Sequence, residues 1–530
     1  MSSINAGRRT SSRRRNMQSA DVIIIGSGIG GASVASALAP SGAKILILER
    51  GGRLVDSPEA RDDRAIFQRG HFRSSETWID NEGRRFRPGN FYNVGGNSKF
   101  YGAVMYRYRS EDFEPREHEG GLAPGWPIAY ADLESWYCKA ERLYQVRGSV
   151  GKDPTEPLHS EGYPHPPVPN EPAIARVAER LAAQGLHPAS LPLAIDHVKW
   201  LDRAKTPWDG FPDTHAGKID AETGPLAEAL QHSNVTLLEN AHVVRLELDA
   251  AGKRVAYAVV RVRDEEQRIY AKTVILSAGA INSAALLLRS TPATKSSGMA
   301  NRSGQVGRNF MNHNCTAMLA IDPRHPNDSI YQKTLGLNDF YLSDGAGGGP
   351  LGNVQLLGKI SGPILKANLP AIPEFALRAI ARHSVDWYLM SEDLPRPESR
   401  VVVDGTDIKL DWQRSNVEAH ARLCTKMRTV LRAAGFPIVL AKAFDKRAPS
   451  HQCGTAVMGV SGSNSVVDIW CRSHDHDNLY IVDASVLPTS AAVNPALTIA
   501  ALALRAADHM LRSVSSNATN DVASTFGATR

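Results

Sequence analysis

The sequence is poor in the features that build disulfide scaffolds, zinc sites and membrane spans. Five cysteines occur among 530 residues, without a CxxC pair and scattered along the chain: Cys138, Cys315, Cys424, Cys453 and Cys471. Such usage argues against a disulfide framework or a structural metal site and favours a reducing, cytoplasmic compartment. No uninterrupted apolar run reaches about 18 residues, so we predict neither a transmembrane helix nor a membrane partner.

The sequence also lacks a strong excess of charge. With 61 basic and 55 acidic residues, the net charge is +6. Much of this excess lies in residues 1–15, which contain five arginines and no acidic residue. Because no aromatic residue is interleaved with the arginines, we interpret residues 1–18 as a disordered basic arm and predict no nucleic-acid partner.

What remains is a globular composition, with 42% apolar and 22% charged residues. The length corresponds to about three domain equivalents. A chain of this size can bury a large core without disulfides. The evidence for function therefore has to come from motifs.

The clearest local pattern is a strand, a glycine turn, a helix and a second strand. Asp21–Ile25 and Lys44–Leu48 are aliphatic runs typical of buried parallel strands. Between them lies a small-residue stretch compatible with a helix, residues 32–38. A parallel strand pair joined by a helix is the start of a doubly wound sheet.

The glycines of this turn have the spacing of a dinucleotide site. Gly26 permits a tight turn, Gly28 lets the backbone approach a pyrophosphate, and Gly31 lets the helix pack closely on the strand. The helix N-terminus offers positive partial charge to the phosphates. Glu49, 23 positions after Gly26, can accept hydrogen bonds from a ribose diol. The alternative is an ordinary glycine turn, with Glu49 as a solvated strand end.

Two further segments suggest ligand contacts. Gly95-Gly96-Asn97-Ser98 combines paired glycines with small polar residues, which favours backbone passing close to a flat ligand. Asn494-Pro495 precedes an Ala/Leu-rich helix predicted at residues 496–511, with Asn as N-cap and Pro at the first helical position. The N-terminus of that helix can face an anion.

The remaining elements are predicted from periodicity. They are helices at 130–146, 224–230, 282–289 and 416–434, a proline-rich loop at 151–170, a β-meander at 235–238, 243–248 and 255–262, and buried strands at 273–280, ending in small residues, and at 478–482.

Taken together, these motifs resemble the glucose–methanol–choline (GMC) oxidoreductase family along nearly the whole chain. The most specific part is the C-terminal block, in which His451-x-x-Gly454-Thr455 is followed by Asp483-Ala484-Ser485 and by Asn494-Pro495. The resemblance implies FAD as cofactor and an alcohol as substrate. It implies a His–Asn catalytic pair, in which His451 takes the alcohol proton and Asn494 holds the same oxygen.

The resemblance also implies which residues bind the cofactor. Glu49 should contact the adenosine ribose, Asn97 and Ser98 the isoalloxazine, and Asp483 the ribityl–pyrophosphate part. The backbone at 494–496 should face the flavin N1–O2 edge. The full set is Gly26, Gly28, Gly31, Glu49, Gly95, Gly96, Asn97, Ser98, Val243, Ala278, Gly279, Asp483, Ala484, Pro495 and Ala496.

Gly102–Arg107 and His474–Asn478 are similar to a bacterial branch near pyranose oxidases and glycoside 3-oxidases. This implies oxidation of a secondary hydroxyl, C3 or C2, of a sugar or glycoside, with reoxidation by O₂ or another electron acceptor. Residues 91–105 contain no histidine that could attach the flavin, so we expect non-covalent FAD. The alternatives are a lyase with a redox-silent flavin, a flavin-binding module without activity, and an electron-transferring dehydrogenase acting on a non-sugar alcohol.

The expected fold is α/β, with a doubly wound Rossmann-like FAD domain interleaved with a mixed-sheet α+β domain. We assign residues 19–110, 200–320 and 451–512 to the FAD domain. Residues 111–199 and 321–450 form the substrate-binding domain and connecting segments, and the Ser/Asn/Thr-rich residues 513–530 a disordered tail.

Other polar and aromatic residues receive weaker interpretations. We interpret His313, at the family position of a loop beside the flavin, as a packed, structural histidine; the alternative is a substrate contact. We interpret His474 and His476 as part of an exposed turn rather than a metal site. Four residues are candidates for sugar contacts in the substrate domain: Tyr331, Gln355, Trp387 and Tyr388.

Overall fold

The computed structural model describes residues 18–202, 209–290, 297–448 and 451–526. In chain order the strands are β1 (Gln18–Ile25), β2 (Ile45–Leu48), β3 (Trp78–Asp80), β4 (Arg85–Phe86), β5 (Arg116–His118), β6 (Gly121–Ala123), β7 (Ala189–Ser190), β8 (Val235–Leu238), β9 (Ala241–Leu248), β10 (Val255–Val262), β11 (Glu265–Leu276), β12 (Asn314–Ile321), β13 (Leu335–Leu337), β14 (Asn353–Leu356), β15 (Ser384–Ser391), β16 (Arg400–Asp404), β17 (Asp407–Asp411), β18 (Ile438–Ala443) and β19 (Leu479–Ile481).

The α-helices are α1 (Ile29–Leu38), α2 (Ala131–Leu143), α3 (Pro172–Ala182), α4 (His197–Asp202), α5 (Ala227–Ala229), α6 (Ala280–Arg289), α7 (Gly362–Asn368), α8 (Glu374–Arg382), α9 (Val417–Ala433) and α10 (Ala496–Phe526). Short 3-10 turns lie at Ala39–Ser41, Pro58–Arg61, Gly96–Phe100, Ser110–Phe113 and Ala484–Val486, and π-turns at Arg64–Arg69 and Glu222–Leu226.

The first sheet has seven strands and a Rossmann-like parallel layer. Its main order is β8-β2-β1-β11-β10-β9, and β19 also pairs with β11. The strands β8, β2, β1, β11 and β19 are joined by parallel pairs. The first half of β11 instead pairs antiparallel with β10, which pairs antiparallel with β9. The predicted parallel strands are therefore present, but the predicted meander is wrong in one strand. Its antiparallel part consists of β9, β10 and the first half of β11, whereas β8 pairs parallel with β2.

The strand order places a ligand site at one edge of this sheet. From β1 the chain passes through α1 to β2 on one side, whereas β11 lies on the other side of β1. In such doubly wound sheets, ligands bind outside the carboxyl ends of the strands, where the order reverses. The helices α10 and α2 pack behind α1 and cover that face of the layer.

The second sheet has six strands in the order β18-β12-β15-β14-β13-β7. All its pairs are antiparallel, whereas a mixed sheet was predicted. The strands β13, β14 and β15 follow one another in the chain and pair in that order, and antiparallel neighbours need no crossover connection. The connection from β15 to β18 instead passes through β16, β17 and α9, because these two strands lie on opposite sides of β12. Helix α9 packs on β12 and β15 and buries Leu423, Met427 and Leu431 there.

The last helix begins at Ala496, as predicted, but differs from its prediction at the cap and at the C-terminal end. It follows directly after Pro495, so Asn494 is not its N-cap. It continues to Phe526, where a disordered tail from residue 513 was predicted; residues 513–526 contain no glycine or proline to end a helix. Residues 1–17 of the predicted basic arm lie outside the described residues.

The division into two interleaved domains stays a prediction. Within the part of the chain that the structure describes, no helix has the length and apolar character needed to cross a membrane.

Candidate functional site

The glycine turn after β1 is closely packed at two positions and open at a third. A Cβ on Gly26, whose φ is +100°, would lie 2.3 Å from the Ser277 carbonyl oxygen. A Cβ on Gly31 would lie 2.1 Å from the Gly26 oxygen, whereas a Cβ on Gly28 meets nothing within 4 Å. Gly28 thus borders the open space into which a pyrophosphate fits.

Gly30, which the sequence analysis did not single out, is as constrained as its neighbours. A Cβ there would lie 1.8 Å from the Val482 carbonyl oxygen. This contact joins the start of α1 to the residue that follows β19.

The N-terminus of α1 is suited to an anion. Its N-cap, Gly28, makes no side-chain capping bond, and its first turn holds no acidic residue. The leading N–H groups therefore present uncompensated partial charge beside the open space at Gly28. The donors and the shape both fit a dinucleotide.

Glu49 is buried and tied to the glycine turn. Its Oε2 accepts hydrogen bonds from the Ser27 backbone N–H at 3.0 Å and from Ser27 Oγ at 2.6 Å, and its Oε1 accepts from Gly51 N at 2.9 Å. Burial is the main influence and raises the pKa of this carboxyl, against these hydrogen bonds. Ser27 Oγ also accepts from Gly95 N at 3.0 Å. Ser27, missed in the sequence analysis, thus links Glu49 to the second glycine loop.

Val243 lies near Glu49 because the start of β9 is hydrogen-bonded to the segment that follows β2. The Ala241 N–H donates to the Glu49 carbonyl oxygen at 2.8 Å, and Asn240 N donates to Gly51 O at 3.0 Å. Val243 follows two residues later and is 6% exposed. The predicted ribose contact and the predicted Val243 contact are therefore neighbours.

The Gly95–Ser98 loop turns back toward the first glycine turn. Gly95 and Gly96 have φ of 85° and 57°, and a Cβ on Gly96 would approach Gly28 Cα at 3.6 Å. Ser98 Oγ donates to Gly95 O at 2.6 Å, so this hydroxyl stabilises the loop. Asn97 is exposed, with its Oδ1 accepting from Phe91 N at 2.9 Å.

A buried ion cluster anchors that loop. Lys99 Nζ lies 3.0 Å from Asp220 Oδ2 and 2.8 Å from Glu222 Oε2, with the Lys99 and Asp220 side chains fully buried. Burial opposes the charge on Lys99, but the two carboxylates prevail and raise the pKa of the ammonium group. No local sequence pattern indicates this cluster, because Lys99 lies more than 100 residues before Asp220 and Glu222.

Asp483 organises the carboxyl ends of β11 and β19. Its Oδ2 accepts from Gly279 N at 2.9 Å and Ser283 Oγ at 2.5 Å. Its Oδ1 accepts from Ser485 N at 2.8 Å and Ser485 Oγ at 2.5 Å. The four donors hold Ala278, Gly279 and Ala484 at the same edge of the sheet as the glycine turn.

His451 and Asn494, 43 residues apart, meet as expected. His451 Nε2 lies 3.3 Å from Asn494 Nδ2. His451 is only partly buried as a residue and has φ of +68°, a rare backbone conformation for histidine. Burial of the ring, followed by the nearby His313 and Lys333, holds the pKa of His451 well below its usual value. The imidazole is therefore neutral at pH 7 and able to accept a proton.

His313, interpreted from sequence as merely structural, contacts His451 directly. Its Nδ1 lies 2.9 Å from His451 Nδ1, and its Nε2 lies 3.0 Å from the Ser490 carbonyl oxygen. The residue is 1% exposed, and burial lowers its pKa. The sequence signal was its place in Met311-Asn312-His313-Asn314, but nothing local indicates a partner 138 positions away.

Asn494 is held from its other side by Gln355. The Gln355 Nε2 donates to Asn494 Oδ1 at 3.1 Å, which turns the Asn494 Nδ2 toward His451. The Gln355 Oε1 is buried and has no hydrogen-bond partner among the described residues. A buried acceptor of this kind calls for a donor from a ligand or water.

The four candidate sugar contacts lie in different surroundings in the structure. Gln355 pairs with Tyr388 across β14 and β15, so both lie on the face near Asn494. Trp387 lies on the opposite face, fully buried in the core beneath α9, and is not a sugar contact. Tyr331 lies outside the strands of the second sheet, is 4% exposed and packs in the hydrophobic core that contains the first sheet.

The predicted exposed turn at His474 and His476 is wrong in part, because His476 is 6% exposed. The His476 Nε2 accepts from Ala300 N at 3.2 Å, while His474 Nε2 lies 3.0 Å from Ser465 Oγ. The two imidazoles thus have separate partners.

Comparisons with known proteins give family matches for three parts of the chain. Residues 209–315 and 395–503 match the N-terminal and C-terminal family profiles described as "GMC oxidoreductase", and residues 24–73 match "NAD(P)-binding Rossmann-like domain". The chain is 30% identical to 6'''-hydroxyparomomycin C oxidase of Streptomyces lividus, with 92% of this chain and 90% of the relative covered. It is also 30% identical to paromamine 6'-oxidase of Streptomyces fradiae, with the same coverage.

A solved structure shows the same fold. Pyridoxine 4-oxidase from Mesorbium loti superposes with a TM-score of 0.63 and 20% identity, over 92% of this chain and 99% of that one. With the relatives matched over nine-tenths of their length at 30% identity, the chain belongs to the GMC oxidoreductase family, whose Rossmann-like dinucleotide domain implies a flavin cofactor.

Proposed function

We propose that this protein binds FAD non-covalently and oxidises a hydroxyl group, most favourably a secondary hydroxyl (C3 or C2) of a sugar or glycoside. The observation that carries the proposal is the meeting of His451 Nε2 and Asn494 Nδ2, 3.3 Å apart, beside the N-terminus of α10. An alcohol oxygen placed beside this pair, within hydrogen-bond reach of both atoms, would give its proton to the histidine and accept a hydrogen bond from the amide.

The residues of the chain supply everything except the hydride acceptor. FAD supplies that acceptor when bound. Neutral His451 takes the hydroxyl proton, and Asn494 fixes the oxygen. Gln355, whose Oε1 lacks a partner among the described residues, provides an acceptor for a second hydroxyl, as a sugar would offer.

The cofactor set predicted from sequence supports the same proposal. Its members from the glycine turn, Glu49, Gly279 and Asp483 all lie at the carboxyl ends of β1, β2, β11 and β19. Such an edge is where a doubly wound sheet binds a dinucleotide. Since residues 91–105 contain no histidine, we expect acid precipitation to release the flavin into the supernatant.

The names of several relatives support a sugar-like substrate. Besides the two Streptomyces oxidases, the chain is 26% identical to the fructose dehydrogenase large subunit of Gluconobacter japonicus. The two oxidases carry 6-position numbers in their names, so a 6-hydroxyl competes with C2 and C3. A non-sugar alcohol is the second candidate, favoured by 28% identity to 2-methyl-1,2-propanediol dehydrogenase of Mycolicibacterium austroafricanum.

The test is an anaerobic absorbance titration of the FAD-loaded protein with sugars, glycosides, amino sugars and simple alcohols. We expect one sugar class to bleach the flavin band, and derivatives blocked at C2, C3 or C6 to show which hydroxyl reacts. Admitting air, or adding an artificial acceptor, then distinguishes an oxidase from a dehydrogenase. A flavin that binds but is bleached by no alcohol would contradict the proposal and leave the lyase or binding alternatives.

A further inference from the structure

We infer that His313 is a positioning residue that fixes the tautomer of His451, with the proton on Nδ1 and the lone pair on Nε2. The inference rests on the proposed function, because it explains how His451 can act as a base. Three hydrogen-bonded contacts, which run from His313 through His451 to Asn494, support it.

The first contact sets the proton of His313. Its Nε2 lies 3.0 Å from the Ser490 carbonyl oxygen, and a carbonyl oxygen only accepts. The Nε2 of His313 therefore carries a hydrogen. Tyr108 Oη donates to the same carbonyl oxygen at 2.8 Å, which holds the acceptor in place.

The second contact determines which ring nitrogen of His451 carries the hydrogen. A neutral imidazole protonated on Nε2 has a bare Nδ1, so the His313 Nδ1 can only accept. Its neighbour at 2.9 Å is the His451 Nδ1, which must then donate. The His451 Nε2 is left without a hydrogen and faces Asn494 as a base.

The third contact reaches the same conclusion from the opposite side. Gln355 donates to Asn494 Oδ1, so Asn494 presents its Nδ2 donor to the His451 Nε2. A donor there requires a bare nitrogen on His451. Two independent contacts thus assign the same tautomer.

Both rings must be neutral for this arrangement, and their surroundings favour that. Burial lowers the pKa of His313, against the carboxylate of Glu392 and the backbone acceptors of Ser490 and Ala491. Burial, His313 and Lys333 all lower the pKa of His451. A protonated His313 would donate from Nδ1 and move the His451 hydrogen to Nε2, which would disable the base.

The test compares two substitutions of His313 with one of a histidine away from the site. His313→Leu removes the acceptor for His451, whereas His313→Asn retains one, its Oδ1. His420→Leu is the control, because His420 is partly buried and also bonded through both ring nitrogens, but its partners are Thr316 and Ser391. The first measurement is ¹⁵N NMR of histidine-labelled protein, with the His451 signals identified by their loss in His451→Asn.

In the wild type we expect a protonated Nδ1 and a bare Nε2 on His451. In His313→Leu the hydrogen should move to Nε2 in a large share of molecules, and kcat should fall about 10²-fold with little change in KM. His313→Asn should recover most of the loss, and His420→Leu should leave the tautomer and kcat unchanged.

A wild-type His451 protonated on Nε2 would overturn the inference. So would wild-type kcat in His313→Leu, or an Asn variant as impaired as the Leu variant. The NMR measurement on the resting protein decides the tautomer even if no alcohol reduces the flavin, so failure of the proposed function is distinguished from failure of this inference.

Discussion

At the scale of single residues, the chemistry of the site depends on side chains that orient other side chains. Asn494 faces His451 because Gln355 holds its amide oxygen, and His451 is oriented in turn by His313. These contacts connect the second sheet to the C-terminal block. Activity should therefore depend on residues that never touch the reacting carbon.

Gln355→Leu tests whether activity depends on the residue that orients Asn494. The change removes the donor that orients Asn494 and the buried Oε1 acceptor. We expect kcat to fall about tenfold and KM to rise, since roughly a 1 Å misplacement of reacting groups can cost up to about 10²-fold. Steady-state kinetics would measure both constants.

The control for this variant is Gln184→Leu, at an exposed position beyond α3. It should behave as the wild type. Unchanged kcat and KM in Gln355→Leu would mean that Gln355 does not position Asn494.

At the scale of elements, the glycine turn separates binding from folding. Gly31 is packed against the Gly26 carbonyl, whereas Gly28 borders open space. The two positions are three residues apart in sequence, yet a methyl group should have different consequences at each.

Gly28→Ala should fold and lose cofactor affinity, because its Cβ meets no protein atom within 4 Å but enters the space for the pyrophosphate. We expect the melting temperature of the cofactor-free protein to stay near wild type and the FAD dissociation constant to rise at least about tenfold, about 1.4 kcal/mol. Gly31→Ala should instead lower the melting temperature without cofactor. Equal effects of the two variants on stability would contradict this assignment.

The stability of the Gly95–Ser98 loop should depend on the buried ion cluster of Lys99, Asp220 and Glu222. Lys99→Met leaves Asp220 buried without its cation, and breaking a buried pair in this way costs about 3–5 kcal/mol. A lower denaturation midpoint and weaker FAD retention should result, with Asp220→Asn added to the same variant recovering part of the stability.

Lys272→Met is the matched control for a surface pair. Lys272 lies 2.9 Å from Asp21 with 82% of its side chain exposed, so its loss should change stability little. If Lys99→Met were no less stable than Lys272→Met, the cluster would not anchor the loop.

How far the sequence predicts this molecule depends on how local each feature is. The strand–turn–helix–strand unit lies within residues 18–48, and each of its elements was predicted, although β1 and α1 begin three residues earlier than expected. The contacts of His313 and Gln355 span 138 and 139 positions, and no local pattern indicates them. Trp387 and Tyr388 are adjacent, but only the sheet register shows which of them faces the site.

At the scale of the whole molecule, several partly buried histidines with lowered pKa values link stability to pH. Burial lowers the pKa of His420 and of His242 to about 4, and that of His159 to about 3. The unfolded chain binds protons at these sites below about pH 6.5, whereas the folded protein does not. Acid therefore favours unfolding, by up to about 1.4 kcal/mol per pH unit for each site whose pKa is lowered in this way.

We predict that the melting temperature falls as the pH is lowered from 6.5 toward 4, and that the fall is shallower in His420→Gln. The substitution removes a titrating group but keeps a polar side chain between Thr316 and Ser391. Thermal denaturation across this pH range measures it, with the exposed His325→Gln as control. Parallel curves for wild type and His420→Gln would show that His420 is not held neutral by the fold.

The most direct test of the account is the rate of anaerobic flavin bleaching by the best alcohol, compared between wild type and His451→Asn. Asparagine suits the left-handed backbone at this position, where φ is +68°, and it cannot act as the base. The account predicts unchanged flavin binding and melting temperature, with bleaching slowed at least about 10²-fold. Bleaching at the wild-type rate would show that His451 does not take the proton.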